Sequence, residues 1–164
     1  MLEETIKYLD KLKLHGIISN LSAKLDEFSN NRSSILEALN ELLKIECYHR
    51  EQSSTNNNIH VSHFPFLKEL EDFDFNFQPT VNKQLIFDLK NLRFIEEHKN
   101  IIFLGNSGVG KTHLAVSLGI EAARKHYSVY FISCNDLINN LLTAYRENKT
   151  EERLKHYNKY KLRV

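Results

Sequence analysis

Residues 105–112 have types and a spacing that suit them to bind phosphate groups. Their sequence, GNSGVGKT, matches the pattern G-x-x-x-x-G-K-[ST], in which glycines let backbone amides approach phosphate oxygens closely. Such a loop forms an anion nest, Lys111 adds a cation for the β- and γ-phosphates, and the Thr112 hydroxyl is a ligand for Mg²⁺. The predicted site for a nucleoside triphosphate, ATP with Mg²⁺, consists of Gly105, Asn106, Ser107, Gly108, Val109, Gly110, Lys111 and Thr112.

The residues on either side of this loop support that interpretation. The wholly apolar run at residues 101–104 predicts a strand buried on both faces, and a helix is predicted from Thr112 to about Arg124. Three of the chain's five glycines lie in the loop, and the alternative is a plain glycine turn between strand and helix. His113 has no visible ligand or base partners, so we count it among the nucleotide-site residues as a polar neighbour of the loop. No catalytic residue is predicted.

The order of elements after the loop predicts an α/β fold. Residues 129–132, VYFI, predict a second strand, and Asn135 or Asp136 is expected to cap the helix that follows. Residues 144–164 contain seven Lys or Arg against three Glu and are predicted to form one helix. This basic helix is either a solvated surface or, together with the N-terminal helices, a weak, salt-sensitive contact for DNA.

The N-terminal half of the chain is predicted to be helical. Apolar residues recur at helical spacing through residues 2–28, with Gly16 as a candidate break. A turn is predicted at residues 30–33, and Ser34 with Glu37 has the pattern of a capping box that opens another helix. The polar stretch 52–58, rich in Asn and Ser, predicts a loop or linker and a domain boundary.

A dense aromatic segment, residues 63–79, follows this boundary. It holds five of the chain's ten phenylalanines together with both of its prolines. This density predicts an irregular segment whose rings are anchored in a core. The alternative is that some of these rings form a wall of an adenine pocket. Residues 81–97 are then predicted to form a helix that leads to the first strand.

Composition limits the possible partners and location. The formal net charge is +1, so any surface that binds DNA must be local. Cys47 and Cys134 are far apart and lack metal-ligand spacing, which predicts reduced thiols in a cytoplasmic protein. The charged N-terminus does not resemble a signal peptide, and no apolar run approaches the roughly 20 residues of a membrane span. We therefore expect a cytoplasmic protein without a membrane partner.

Residues from Phe94 to about Leu142 resemble the ATP-binding core of the IstB-like proteins. The likeness is most specific in GKTHLA at residues 110–115 and in LEDFDF at residues 70–75, which resembles the segment leading into that core. IstB-like proteins are AAA+ helper ATPases of insertion-sequence transposition, related to the helicase loader DnaC. The helices before residue 50 resemble the small N-terminal domain of the family.

The resemblance implies a fold and a division of the chain. The fold would be α/β, with an N-terminal helical domain followed by the first half of an AAA+ P-loop NTPase domain that contains an incomplete parallel sheet. The three parts would be a helical domain at 1–58, an aromatic linker and helix at 59–99, and a partial ATPase domain at 100–164. The family also implies binding of ATP and DNA, assembly of a homo-oligomer on DNA, and delivery of target DNA to a transposase.

One departure from the family pattern concerns ATP hydrolysis. Downstream of the loop, no Asp-Glu pair follows an apolar strand, so the Walker B site of this ATPase family has no counterpart. The resemblance therefore implies the N-terminal part of a helper ATPase, a truncated copy, and leaves enzymatic activity undecided. One alternative is a helicase-loader-like accessory protein with a replicative helicase as its partner. Another is a small-molecule kinase, although the long helical N-terminus argues against it.

Overall fold

The computed structural model describes residues 1–31 and 34–164, with Asn31 described by its backbone alone. In this part of the chain the elements are α1 (Leu2–Lys11), α2 (His15–Asn31), α3 (Ile35–Val61), α4 (Lys83–Leu89), α5 (Arg93–Glu96), α6 (Lys111–Arg124), β1 (Val129–Tyr130), α7 (Cys134–Arg146), α8 (Thr150–Asn158) and β2 (Leu162–Arg163). They form two compact units, Met1–Ser54 and Thr55–Val164. The predicted division into three parts at residues 58 and 99 stays a prediction.

In the first unit, the buried carboxylate of Glu46 on α3 binds the start of α2. Glu46 is 4% exposed, and its Oε2 accepts a hydrogen bond from the Ile17 N–H at 3.2 Å. Its Oε1 accepts a second bond from Arg50 Nε at 2.7 Å. The two helices approach so closely here that a Cβ on Gly16 would lie 2.6 Å from the Cβ of His49. Glycine at this position therefore permits the contact that Glu46 makes.

The local patterns predicted in the first unit have mixed outcomes. The Ser34 Oγ accepts from the Glu37 N–H at 3.2 Å, and Glu37 Oε2 accepts from the Ser34 N–H at 2.8 Å, which confirms the capping box. The break predicted at Gly16 falls earlier, between α1 and α2. Of the predicted turn at residues 30–33, the first two positions belong to α2 and the other two lie outside the described residues.

The predicted loop at residues 52–58 is wrong, because these residues continue α3. The stretch contains no Gly or Pro, and polar residues such as Asn and Ser cost at most about 0.7 kcal/mol each in a helix relative to Ala. Contacts within the second unit offset this cost. Ile59 packs on an apolar core, Asn58 Nδ2 donates to the Ala123 carbonyl at 3.5 Å, and Ser62 Oγ donates to the Asn58 carbonyl at 2.7 Å.

Helix α6 is the central element of the second unit. Nine of its fourteen residues are buried, a pattern typical of a helix that is enclosed by other elements. The predicted helix from Thr112 to about Arg124 is thus confirmed, with Lys111 as its first residue. Two buried apolar clusters pack around it. The first contains Leu92, Phe94, Ile95, Ala122, Ala123 and Val129, and the second contains Leu70, Phe73, Ile86 and Leu114.

The two short strands pair in parallel at one side of this unit. Val129 lies opposite Leu162, and the Val164 N–H donates to the Tyr130 carbonyl at 3.0 Å. The strand predicted at residues 129–132 is therefore confirmed for its first two residues. The predicted α/β class is therefore confirmed, because the described residues form a mostly helical α/β fold with a small parallel sheet.

The prediction of a single helix over residues 144–164 is wrong. Helix α7 ends at Arg146, α8 follows, and the chain then enters β2. The change of direction occurs near Asn148, whose φ of 56° lies in the left-handed region that Asn adopts more readily than most residues. The cap of α7 also differs from the prediction, because Ser133 Oγ accepts from the Asp136 N–H at 3.1 Å and is the N-cap in place of Asn135 or Asp136.

The prediction of a strand buried on both faces at residues 101–104 is wrong. Ile101 and Phe103 pack against the two cores, whereas Ile102 is 77% and Leu104 88% exposed. A buried strand needs neighbouring strands that bind its backbone, and within residues 1–31 and 34–164 the sheet consists of β1 and β2 alone. Alternate side chains of this segment consequently face the core and the solvent.

Three further features complete the fold. The helix predicted at residues 81–97 is divided into α4 and α5, because Leu92 has a φ of 62°. Cys47 and Cys134 are both exposed and free. None of the helices in the described part of the chain is both long enough and apolar enough to cross a membrane.

Candidate functional site

The loop of residues 105–112 leads directly into the N-terminus of α6. Gly110 is the N-cap of this helix with a φ of 88°, and Gly108 has a φ of 80°. In this left-handed region a residue with a side chain costs about 1–2 kcal/mol, so both positions favour glycine. The first amides of a helix lack intrahelical acceptors and carry the positive end of the helix dipole. The start of α6 is therefore suited to bind an anion.

Lys111 lies across the loop. Its Nζ donates hydrogen bonds to the carbonyls of Gly105 at 2.9 Å and Asn106 at 2.6 Å, so the ammonium is held over the residues that begin the loop. The loop is otherwise accessible to a ligand. Among the predicted site residues, Gly105, Asn106, Ser107, Gly108 and Thr112 are exposed, and Val109, Gly110, Lys111 and His113 are half-buried.

Phe73, in the aromatic segment, packs against the end of the loop. A Cβ on Gly110 would lie 2.5 Å from Phe73 Cε2, so the ring occupies the space that a side chain would need. The rings of Phe75 and His113 surround Phe73, with centroids 4.8 and 5.4 Å from its own. His113 Nε2 also lies 2.9 Å from the Glu69 carbonyl oxygen. The imidazole of His113 is thus engaged with the aromatic segment, and its contribution to nucleotide binding stays a prediction.

The aromatic segment is anchored as predicted at three of its five phenylalanines. Phe73 is buried, Phe64 packs on one apolar core and Phe75 on the other. Phe66 is 36% and Phe77 71% exposed, so these two rings are not anchors. The alternative in which some rings form an adenine wall stays a prediction.

Polar bonds from α6 hold the same segment at several points. Ser117 Oγ donates to the Lys68 carbonyl at 3.0 Å, and Arg124 binds the carboxylates of both Glu69 and Glu121. The contacts of Ser117 with Lys68 and of Arg124 with Glu69 join residues 49 and 55 positions apart, so the sequence offered no local signal for them. The segment is consequently fixed along α6 from the loop almost to the C-terminus of the helix.

Lys90 adds a charged link between the aromatic segment and α6. Its Nζ lies 2.6 Å from Glu71 Oε1 and 3.7 Å from Glu121 Oε2. The hydrogen bond that Lys90 donates to Glu71 raises the pKa of Lys90, although burial acts in the opposite direction. The same hydrogen bond lowers the pKa of Glu71. Lys90 and Glu71 are therefore both charged at neutral pH.

Part of the basic C-terminal stretch is used within the fold. Arg163 Nη1 donates to the Tyr157 carbonyl at 3.1 Å and to Asn158 Oδ1 at 3.2 Å. Lys159 and Lys161 are exposed. The described residues hold no group of three or more His, Cys, Asp or Glu that could bind a metal ion.

Comparison with known proteins bears directly on this loop. The sequence profile described as IstB-like ATP binding protein matches residues 7–164. The chain belongs to the family of IstB-like ATP-binding proteins. The family resemblance inferred from GKTHLA and LEDFDF is therefore confirmed.

Relatives in insertion sequences agree with membership of this IstB-like family, and their names describe them as ATP-binding proteins. One, from IS232 of Bacillus thuringiensis subsp. berliner, is 49% identical over 95% of this chain and 62% of the relative. A second, from IS5376 of Geobacillus stearothermophilus, is 38% identical over 94% of this chain and 62% of its own length. A third, from IS21 of Pseudomonas aeruginosa, is 34% identical over 89% of this chain and 55% of the relative. The chain thus spans 55–62% of these relatives.

Proposed function

We propose that this chain binds ATP through residues 105–112. The observation that carries the proposal is the loop geometry: left-handed glycines lead into the start of a buried helix, and the Lys111 ammonium lies over the loop. The names of the insertion-sequence relatives, which describe ATP binding, support the same ligand. In this proposal the loop amides bind phosphate oxygens, and Lys111 exchanges its carbonyl partners for the β- and γ-phosphates.

Mg²⁺ fits the same site through Thr112. The ion prefers oxygen ligands and takes only one or two from the protein, because phosphate and water supply the others. Thr112 is exposed in the first turn of α6, directly after Lys111, where its hydroxyl can reach an ion bound to the phosphates. When bound, Mg²⁺ neutralises part of the phosphate charge.

The proposed site is tested by titrating the chain with a fluorescent ATP analogue, with Mg²⁺ and with EDTA. Thr112→Val removes the hydroxyl and keeps the shape of the side chain, whereas Thr112→Ser keeps the hydroxyl. We expect Mg²⁺ to strengthen binding in the parent and in the serine variant, and to have little effect in the valine variant. Equal responses to Mg²⁺ in all three proteins would contradict the assignment of Thr112.

The biological role that we propose is assistance to a transposase on DNA. Family membership and the insertion-sequence context of the relatives support it, together with the exposed lysines after α8. In this role the chain binds DNA, forms homo-oligomers with ATP and contacts the transposase of its element. Capture experiments with residues 1–164 as bait decide between partners: recovery of a transposase supports the proposal, whereas recovery of a replicative helicase supports the helicase-loader alternative.

A further inference from the structure

We propose that Phe73 is a positioning residue for the phosphate-binding loop. Its ring holds Gly110, and with it the first turn of α6, in the conformation that directs the amides toward phosphate. This inference rests on the proposed nucleotide site and assigns Phe73 no contact with the nucleotide itself.

The packing around Phe73 leaves its ring little freedom to move. Phe73 is 8% exposed and lies in a cluster with Leu70, Ile86 and Leu114. Its ring edge occupies the position where Gly110 would carry a side chain, with Cε2 2.5 Å from that point. Because Gly110 is the N-cap of α6, a ring fixed at this point also fixes where the free amides begin.

The neighbouring bonds hold the backbone that carries Phe73. The Glu69 carbonyl is bound by His113, and the Lys68 carbonyl by Ser117, so α6 holds the segment just before Phe73 as well. The loop, the ring and the first two turns of α6 therefore form one packed group. Preorganisation of this kind strengthens binding by reducing the ordering that the ligand must impose.

Phe64 offers a matched control on the same helix. Its ring also packs against a helix glycine, because a Cβ on Gly119 would lie 2.7 Å from Phe64 Cε1. Gly119 lies nine positions after Gly110, in the middle of α6 and away from the loop amides. Loss of the Phe64 ring removes comparable packing from α6 and leaves the N-cap contact in place.

The experiment compares Phe73→Ala, Phe73→Leu and Phe64→Ala in the 164-residue chain. Each protein is titrated with ATP and with GTP at a temperature where circular dichroism shows it to be folded. We expect Phe73→Ala to lower the affinity for ATP and for GTP by the same factor, about tenfold if preorganisation contributes as much free energy as one good contact. Phe73→Leu should lose less affinity than Phe73→Ala, and Phe64→Ala should bind both nucleotides as tightly as the parent. Amide hydrogen exchange without nucleotide should accelerate at residues 114–118, the first amides bonded within α6, in the Phe73 variants alone.

Several results would overturn the proposal. Equal losses in Phe73→Ala and Phe64→Ala would show a general loss of stability, and a loss confined to ATP would make Phe73 part of an adenine wall. Unchanged binding in both Phe73 variants would also refute it. If Phe73→Ala does not fold, Phe73→Leu against Phe64→Leu decides by the same criteria. If the parent binds no nucleotide, or Lys111→Ala binds nucleotide as tightly as the parent, the proposed nucleotide site is wrong. The role proposed for Phe73 is then wrong as well.

Discussion

Replacing Gly110 with alanine should destabilise the second unit strongly, for two reasons that the structure separates. The φ of 88° costs a residue with a side chain about 1–2 kcal/mol. The new methyl group would also lie 2.5 Å from Phe73 Cε2, and overpacking of this kind costs about 1–3 kcal/mol. Together the change amounts to about 2–5 kcal/mol, a large part of the roughly 5–15 kcal/mol that stabilises a typical domain.

Gly108→Ala is the matched control for this prediction. Gly108 has a similar φ of 80°, but no atom of the described residues beyond its chain neighbours lies within 4 Å of the added Cβ, so only the backbone cost of about 1–2 kcal/mol applies. Because two compact units need not unfold together, amide hydrogen exchange of α6 is a better probe than a single denaturation curve. Equal protection of α6 in the two variants would refute the argument that the Phe73 ring blocks a side chain at residue 110.

Two other perturbations test the first unit and the basic C-terminal stretch. Burial raises the pKa of Glu46, but hydrogen bonds from Arg50 and from amides at the start of α2 outweigh it, so the pKa lies below the usual 4.5. The ionised carboxylate therefore stabilises the first unit at pH values above 4.5. This stabilisation is lost as the pH falls through the lowered pKa. Glu46→Gln should therefore lose about 1–3 kcal/mol at pH 7 and show a weaker acid dependence in urea titrations, and an unchanged dependence would contradict the role of Glu46. If residues 144–164 bind DNA, the double variant Lys159→Gln, Lys161→Gln should reduce the steepness of log affinity against log salt concentration in gel shifts by about 2. DNA retention that does not change with salt concentration would indicate a solvated surface. The control carries the same loss of charge elsewhere: Lys83→Gln with Lys125→Gln.

The features that the sequence predicted correctly depend on neighbouring residues. The capping box joins Ser34 to Glu37 across three positions, and α6 follows from apolar spacing within one helix. The glycines and Lys111 likewise lie within a single short motif, so the loop could be placed directly before α6 without knowledge of the fold.

The features that the sequence could not predict depend on distant contacts. Residues 52–58 look like a loop by composition, but packing of Ile59 in the second unit keeps them helical. Glu46 binds an amide 29 positions away, and Phe73 meets Gly110 across 37 positions. The strand predicted at residues 101–104 failed for a related reason, because an apolar run indicates burial but does not supply a neighbouring strand.

The most direct test of the central claim is the affinity of Lys111→Ala for a fluorescent ATP analogue, with Lys125→Ala as the control. Lys111 is the first residue of α6, whereas Lys125 is the C-cap of the same helix, at the end away from the loop. Lys125 Nζ donates to the Lys90 carbonyl at 3.4 Å. Hydrogen bonds to charged groups contribute about 1.5–3 kcal/mol, so Lys111→Ala should bind about 10- to 150-fold more weakly. Lys125→Ala should bind like the parent. Equal affinity of Lys111→Ala and the parent would contradict the assignment of residues 105–112 as the nucleotide site.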